Sequence, residues 1–206
     1  MKSERSLIKQ AAMSFIVPVL LLSLSAAAQE MRSEISVQGT GSFTKDSNGN
    51  GVQNKATNTG GFLLGYRYNI NRWFSAEANY GYDRNTQIYS GLLPGRVQAN
   101  VHQFTGSAVV KLPGYRKVLP YVLGGGGGLL FDPTNNVGGT FVGATQQTKG
   151  AFLYGGGADY VFTNHLLLRA EYRGFVYQAP DFNVANLHTG SWTNLAQPSA
   201  GFVYRF

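Results

Sequence analysis

The sequence predicts an all-β fold, an eight-stranded antiparallel transmembrane β-barrel, and three observations carry that expectation. Apolar and polar residues alternate with period two in segment after segment of the chain. The connections between those segments run alternately long and short. Composition agrees, because only 13% of residues are charged where roughly a quarter is usual in a soluble domain, while the chain holds 27 Gly, 13 Phe and 12 Tyr. Such a chain makes a poor water-solvated surface. It has no cysteine, which excludes a disulfide scaffold, a thiolate zinc site, a redox CxxC pair and a cysteine nucleophile.

At the N-terminus Lys2, Arg5 and Lys9 precede the apolar run Phe15 to Leu24, and Ala26-Ala27-Ala28 precedes Gln29. This is the layout of a signal peptide, with the cut expected after Ala28. The apolar core is about ten residues long, half of the roughly 20 that a spanning helix needs, and Pro18 interrupts it. The expected domains are therefore a signal peptide over 1–28 and one barrel domain over 29–206. Cleavage lowers the formal charge from +7 to +5. The basic residues are scattered among apolar strands, so no nucleic-acid partner is expected.

Eight strands are expected in order. The first is Glu34 to Phe43. The second, Gly60 to Tyr68, sets Phe62, Leu64, Tyr66 and Tyr68 against Gly61, Leu63, Gly65 and Arg67. The third, Trp73 to Asp83, sets Phe74, Ala76, Ala78, Tyr80 and Tyr82 against Ser75, Glu77, Asn79, Gly81 and Asp83. The fourth and fifth are Ala99 to Leu112 and Pro120 to Phe131, and the sixth is Gly150 to Val161. The seventh, Leu166 to Val176, sets Leu168, Ala170 and Tyr172 against Arg169, Glu171 and Arg173. The eighth is Ser199 to Phe206. Each has about the 9 to 11 residues a tilted strand needs to cross a bilayer. The long connections are Thr44 to Thr59, Arg84 to Gln98, Asp132 to Lys149 and Tyr177 to Pro198; the short ones are Asn69 to Arg72, Pro113 to Leu119 and Phe162 to His165. A soluble sandwich or lipocalin-like barrel would bury its apolar parity. The signal peptide, the loop asymmetry and the aromatic strand ends favour the membrane.

The last strand alternates Phe202, Tyr204 and Phe206 with Gly201, Val203 and Arg205. Together with the Gly-rich run Tyr121 to Gly128, the segment Gly155 to Tyr160 read as strand–turn–strand, and Arg169-Ala170-Glu171-Tyr172-Arg173, it resembles the small eight-stranded outer-membrane barrels of the OmpA-like and OmpW-like type. The resemblance covers nearly the whole mature chain. It implies a bacterial outer-membrane location with both termini periplasmic, a single chain working as a monomer, and contact with outer-membrane lipid and lipopolysaccharide. It also implies that Phe202, Tyr204 and Phe206 are an assembly signal read by the barrel-assembly machinery. No peptidoglycan-binding domain is expected after Phe206, so the wall-anchoring role of longer relatives is not carried over.

Eight strands enclose an interior just wide enough for side chains to fill. The inward parity is expected to include Arg67, Glu77, Asp83, Asp159, Arg169, Glu171, Arg173 and Arg205, four acids and four bases that can neutralise one another. Glu171 stands between Arg169 and Arg173, with Glu77 a partner across the barrel. The expected function is a structural or surface-interaction protein with a side-chain-plugged lumen. The alternative is a narrow channel for small solutes or ions.

Other motifs carry less. Gly124 to Gly128 contains a GxGxxG-like string but no helix follows, and Asp46-Ser47-Asn48-Gly49-Asn50-Gly51 lacks the downstream Glu of a calcium loop and reads as a mobile polar loop. His102, His165 and His188 are too scattered for a metal site. A lipid A-modifying enzyme would need a His, Ser and carboxylate together. His102 and Ser107, five apart on a strand, face opposite sides, which removes them as base and nucleophile with Glu77. Neither catalytic residues nor a cofactor is expected.

Overall fold

The computed structural model describes residues 31–91, 94–134 and 144–206. The expected signal peptide lies outside the described residues. In chain order the strands are β1 (Ser33–Thr44), the short β2 (Ser47–Gly49) and β3 (Val52–Ala56), β4 (Thr59–Asn69), β5 (Phe74–Ser90), β6 (Gly95–Lys111), β7 (Val118–Pro133), β8 (Gln147–Val161), β9 (Leu166–Gln178) and β10 (Trp192–Arg205). Eight of these are long, every neighbouring pair is antiparallel, and β1 pairs with both β4 and β10, so the sheet closes on itself. Backbone hydrogen bonds of 3.1 and 2.9 Å between Ser33 and Phe206 tie the first strand to the last residue.

Alternation assigns the faces. On β4, Phe62, Leu64, Tyr66 and Tyr68 point outward and Leu63, Arg67 and Asn69 inward. The apolar row stays open around the wall, with Val37, Phe104, Phe152 and Phe202 keeping 56–60% of their surface exposed. That inverts the burial of a soluble sandwich, and lipid is the solvent that stabilises it.

The strands outrun their expected ends most in β5, β6 and β10. β5 and β6 have 17 residues each. At about 3.4 Å per residue and a tilt near 40° they rise roughly 44 Å, well beyond an apolar band about 25 Å tall. The connection expected over Arg84 to Gln98 is therefore mostly a raised ribbon. Within Thr44 to Thr59, β2 and β3 form a hairpin in place of a mobile loop. Its turn residues Asn50 (φ 51°) and Gly51 (φ 73°) both have positive φ, the type I′ turn that Asn-Gly favours. β3 continues β4 along the edge of β5, and the register slips by one residue between the pairs Ala56–Gln87 and Gly61–Asp83, a bulge.

β10 begins at Trp192 and not at Ser199, with Pro198 inside it. Its ladder to β1 is interrupted between the pairs Thr40–Ser199 and Phe43–Ala196, which accommodates a residue without an N–H. Gly155 to Tyr160 contains no turn and lies wholly within β8. Gly157 is needed there because the Tyr121 ring lies over it, and a Cβ would stand 2.7 Å from the phenol oxygen.

Candidate functional site inside the barrel

In the half of the barrel near the chain termini, the inward faces of β1, β4, β5, β8 and β9 meet in one ionic cluster. Register creates the nearest pairs, since Arg67 lies opposite Glu77 and Arg169 opposite Asp159. Arg67 Nε donates to Glu77 Oε2 at 2.5 Å. Arg169 grips Asp159 with two bonds of 2.7 and 2.9 Å, the forked geometry that makes guanidinium–carboxylate pairs specific. Longer links cross the lumen. Arg173 bonds Glu171 on its own strand and Glu77 across the barrel, Arg169 reaches Glu34 at 2.9 Å, and Arg67 lies 3.6 Å from Glu171. Tyr121 completes the cluster, donating to Glu171 Oε2 at 2.6 Å while the Arg67 guanidinium lies 4.2 Å from its ring centre. Arg67, Arg169 and Arg173 are at most 1% exposed.

Seven of the eight charges assigned to the interior by sequence are buried there, and Arg205 stands partly exposed at the rim, bonded to Glu34. Two partnerships differ from expectation. Arg169 pairs with Asp159, Glu34 and Glu77, so Glu171 is shared between Arg173, Arg67 and Tyr121 and not between its two neighbours on β9. Asp83 stands apart from the cluster, accepting from Ser42 at 3.1 Å and Gln103 at 3.0 Å. Glu34 takes its place as the fourth acid. The signal for Glu34 was present, because it shares a parity with Ser36, Gln38, Thr40 and Ser42.

Toward the long loops one side of the interior is apolar, while β3, β5 and β10 add the buried polar side chains Asn54, Asn85, Gln87 and Thr193 on the other. Val101, Leu129, Phe131, Leu153, Phe175, Tyr177 and Leu195 point inward, and Phe182 and Leu187 from the β9–β10 connection are fully buried among them. The connection expected as the exposed loop Tyr177 to Pro198 thus returns into the barrel mouth. Polar bonds hold it. Tyr89 Oη donates to the Pro180 carbonyl at 2.7 Å, and Gln147 Oε1 accepts from the backbone N–H groups of Asp181 and Phe182 at 3.0 and 3.1 Å. Asp181 accepts from the His188 ring at 2.6 Å. Burial pushes the Asp181 carboxyl up, but the hydrogen bonds from His188, Gln147 and the Asn183 N–H, with the nearby Lys149, hold it below the usual carboxylate value of 3.8. Asn50 of the β2–β3 turn bonds the His188 carbonyl at 3.2 Å, so the hairpin braces the connection.

The remaining sequence candidates are separated. His102 faces outward, with Nδ1 2.9 Å from Tyr80 Oη, whereas Ser107 faces inward opposite Glu77 in the β5–β6 ladder. The barrel wall lies between His102 and both. Phe202 and Tyr204 face outward at 59% and 55% exposure, and Tyr204 stacks between His165 and Phe206.

Comparison with known proteins agrees with this architecture. No match was found among the curated proteins. Among solved structures, the chain is similar to the outer membrane protein OprG from Pseudomonas aeruginosa (16% identity, TM-score 0.59, covering 84% of this chain and 95% of that one). It is also similar to Neisserial surface protein A (14% identity, TM-score 0.59, 84% and 97%) and to Ail, the attachment invasion locus protein of Yersinia pestis (18% identity, TM-score 0.50, 85% and 99%). At these identities the likeness is one of fold. The family model described as outer membrane protein beta-barrel domain matches residues 14–206, and the chain belongs to that family of bacterial outer-membrane barrels.

Proposed function

We propose that this protein is a closed outer-membrane barrel, a structural and surface-presenting platform whose lumen passes neither solute nor ion. The observation that carries this reading is the layering of the interior. An ionic cluster occupies the half near the termini, and in the half near the long loops Phe182 and Leu187 pack into the apolar cluster on one side, with buried Asn85 and Gln87 on the other. To admit a solute, both would have to rearrange. The first would expose charges that cost several kcal/mol each when unpaired, and the second would strip a packed apolar core. The surface offered to the exterior is the raised β5–β6 ribbon with the β2–β3 hairpin against it. The separation of His102 from Ser107 and Glu77 supports a non-enzymatic role. Insertion through Phe202, Tyr204 and Phe206 and function as a monomer in lipid belong to the same reading.

Swelling of liposomes containing the mature protein tests it. Vesicles in isotonic arabinose should swell no faster than protein-free vesicles. Swelling that scales with protein content would support the narrow channel instead.

A further inference from the structure

The described charges are sorted by height in the barrel. Every described acid lies either inside the lumen or toward the long loops. The rim at the end of the termini carries Arg32, Arg72, Lys111, Arg116, Lys117 and Arg205 and, among the described residues, no exposed acid. Two geometric features set the height of these cations. The Arg72 guanidinium lies 5.1 Å from the ring centre of Trp73 and that of Arg116 lies 5.3 Å from Tyr115. Both rings are exposed and outside the last ladder pairs, where aromatic side chains of barrels lie among lipid headgroups. Cations stacked on such rings are level with lipid phosphates.

Between the β4–β5 and β6–β7 turns lies a cavity of about 680 Å³. Arg32 and Arg72 line it with positive charge, Lys111 and Arg205 line it while bonded to Asn69 at 2.6 Å and to Glu34 at 2.8 Å, and Trp73 and Leu112 make it apolar as well. A free phosphate or a glycan carboxylate uses only the first of these surfaces. An anionic amphiphile uses both.

We propose that this rim is a binding site for anionic phospholipid of the periplasmic leaflet, its phosphate held by Arg72 with Arg116 and Lys117 beside it. The site is independent of whether the lumen conducts. The full mature chain in detergent is offered equal amounts of dimyristoyl phosphatidylglycerol and dimyristoyl phosphatidylcholine, and bound lipid is counted by native mass spectrometry. Phosphatidylglycerol should be retained at least tenfold over phosphatidylcholine. The preference should vanish in the triple variant Arg72→Gln, Arg116→Gln, Lys117→Gln, each interfacial cation being worth about fivefold in occupancy. These side chains are exposed and outside the ionic cluster, so the variant should keep the heat-modifiable folded form. Equal retention of the two lipids by the wild type overturns the proposal. So does a preference that survives the triple variant, or one lost equally when the loop-end cations Lys45, Lys55 and Arg84 are changed to Gln. Displacement of the lipid by millimolar inorganic phosphate would show a free-anion site. Co-sedimentation with purified sacculi that the triple variant loses would show a wall-binding surface, again against the proposal.

Discussion

Asp83 and Glu34 are both buried carboxylates on the inward parity, yet the physics of their partners separates them. Glu34 is bonded to Arg169, Arg205 and Asn69, whereas Asp83 accepts only from the neutral Ser42 and Gln103. Removing one member of a buried ion pair strands its partner, so Glu34→Ala should cost about 3 kcal/mol, less if lumen water screens Arg205. Asp83→Asn keeps an acceptor for Ser42 and Gln103 and strands no cation, so its effect should stay within about 1 kcal/mol. Urea unfolding of the two variants in one micelle system, followed by tryptophan fluorescence, gives the comparison. Equal losses would mean that Asp83 has a charged partner and the assignment of pairs is wrong. Phe182 is the other decisive residue, because a bulky side chain at φ 51° is strained and is here fully buried. The burial of its ring offsets the strain. Asp181 beside it sets a pH dependence. Its folded carboxyl is held below 3.8, so it contributes stability at neutral pH that is lost as the pH falls from about that value through the lower folded one. Pepsin should therefore begin to cut the β9–β10 connection below about pH 4, and Asp181→Asn should remove the change within that window. Cleavage independent of pH in the wild type would contradict the lock.

At the scale of elements, strands were legible wherever lipid on one side and a polar interior on the other enforce period two. β4 and the membrane-crossing half of β5 agree closely with the alternation of Phe62 to Tyr68 and Phe74 to Asp83. Above the membrane that contrast disappears. From Arg84 to Ser90 both parities carry polar residues, so the pattern fades although the backbone ladder continues. Pro198 hid the first half of β10 by reading as a loop residue, and the β9–β10 connection hid its burial behind Pro180, Asp181, Asn183 and Gly190. Asn50-Gly51 was a readable hairpin signal. Proteinase K added to intact cells should consequently spare the β9–β10 connection. Phe182→Ala, which removes the buried ring at a cost of about 3 to 5 kcal/mol to local packing, should make that connection cleavable. Cleavage of the wild type there would contradict the docked arrangement.

For the whole molecule, the outcome of folding is a ring whose last residue bonds its first strand. Deleting Phe206 removes that closing pair and an outward aromatic from the terminal row. Signal-cleaved chain should then accumulate in the periplasm without the heat-modifiable form, and normal yields of folded barrel would count against a role in assembly. The central claim, a lumen sealed twice, is tested most directly by planar-bilayer conductance of four proteins: the wild type, Glu171→Ala/Arg173→Ala, Phe182→Ala/Leu187→Ala, and the combination. The first substitution pair is charge-neutral and opens the ionic layer; the second opens the apolar one. The wild type and each single-layer variant should give baseline current, and the combined variant should give discrete steps. Stable channels in the wild type, or a silent combined variant, would contradict the account.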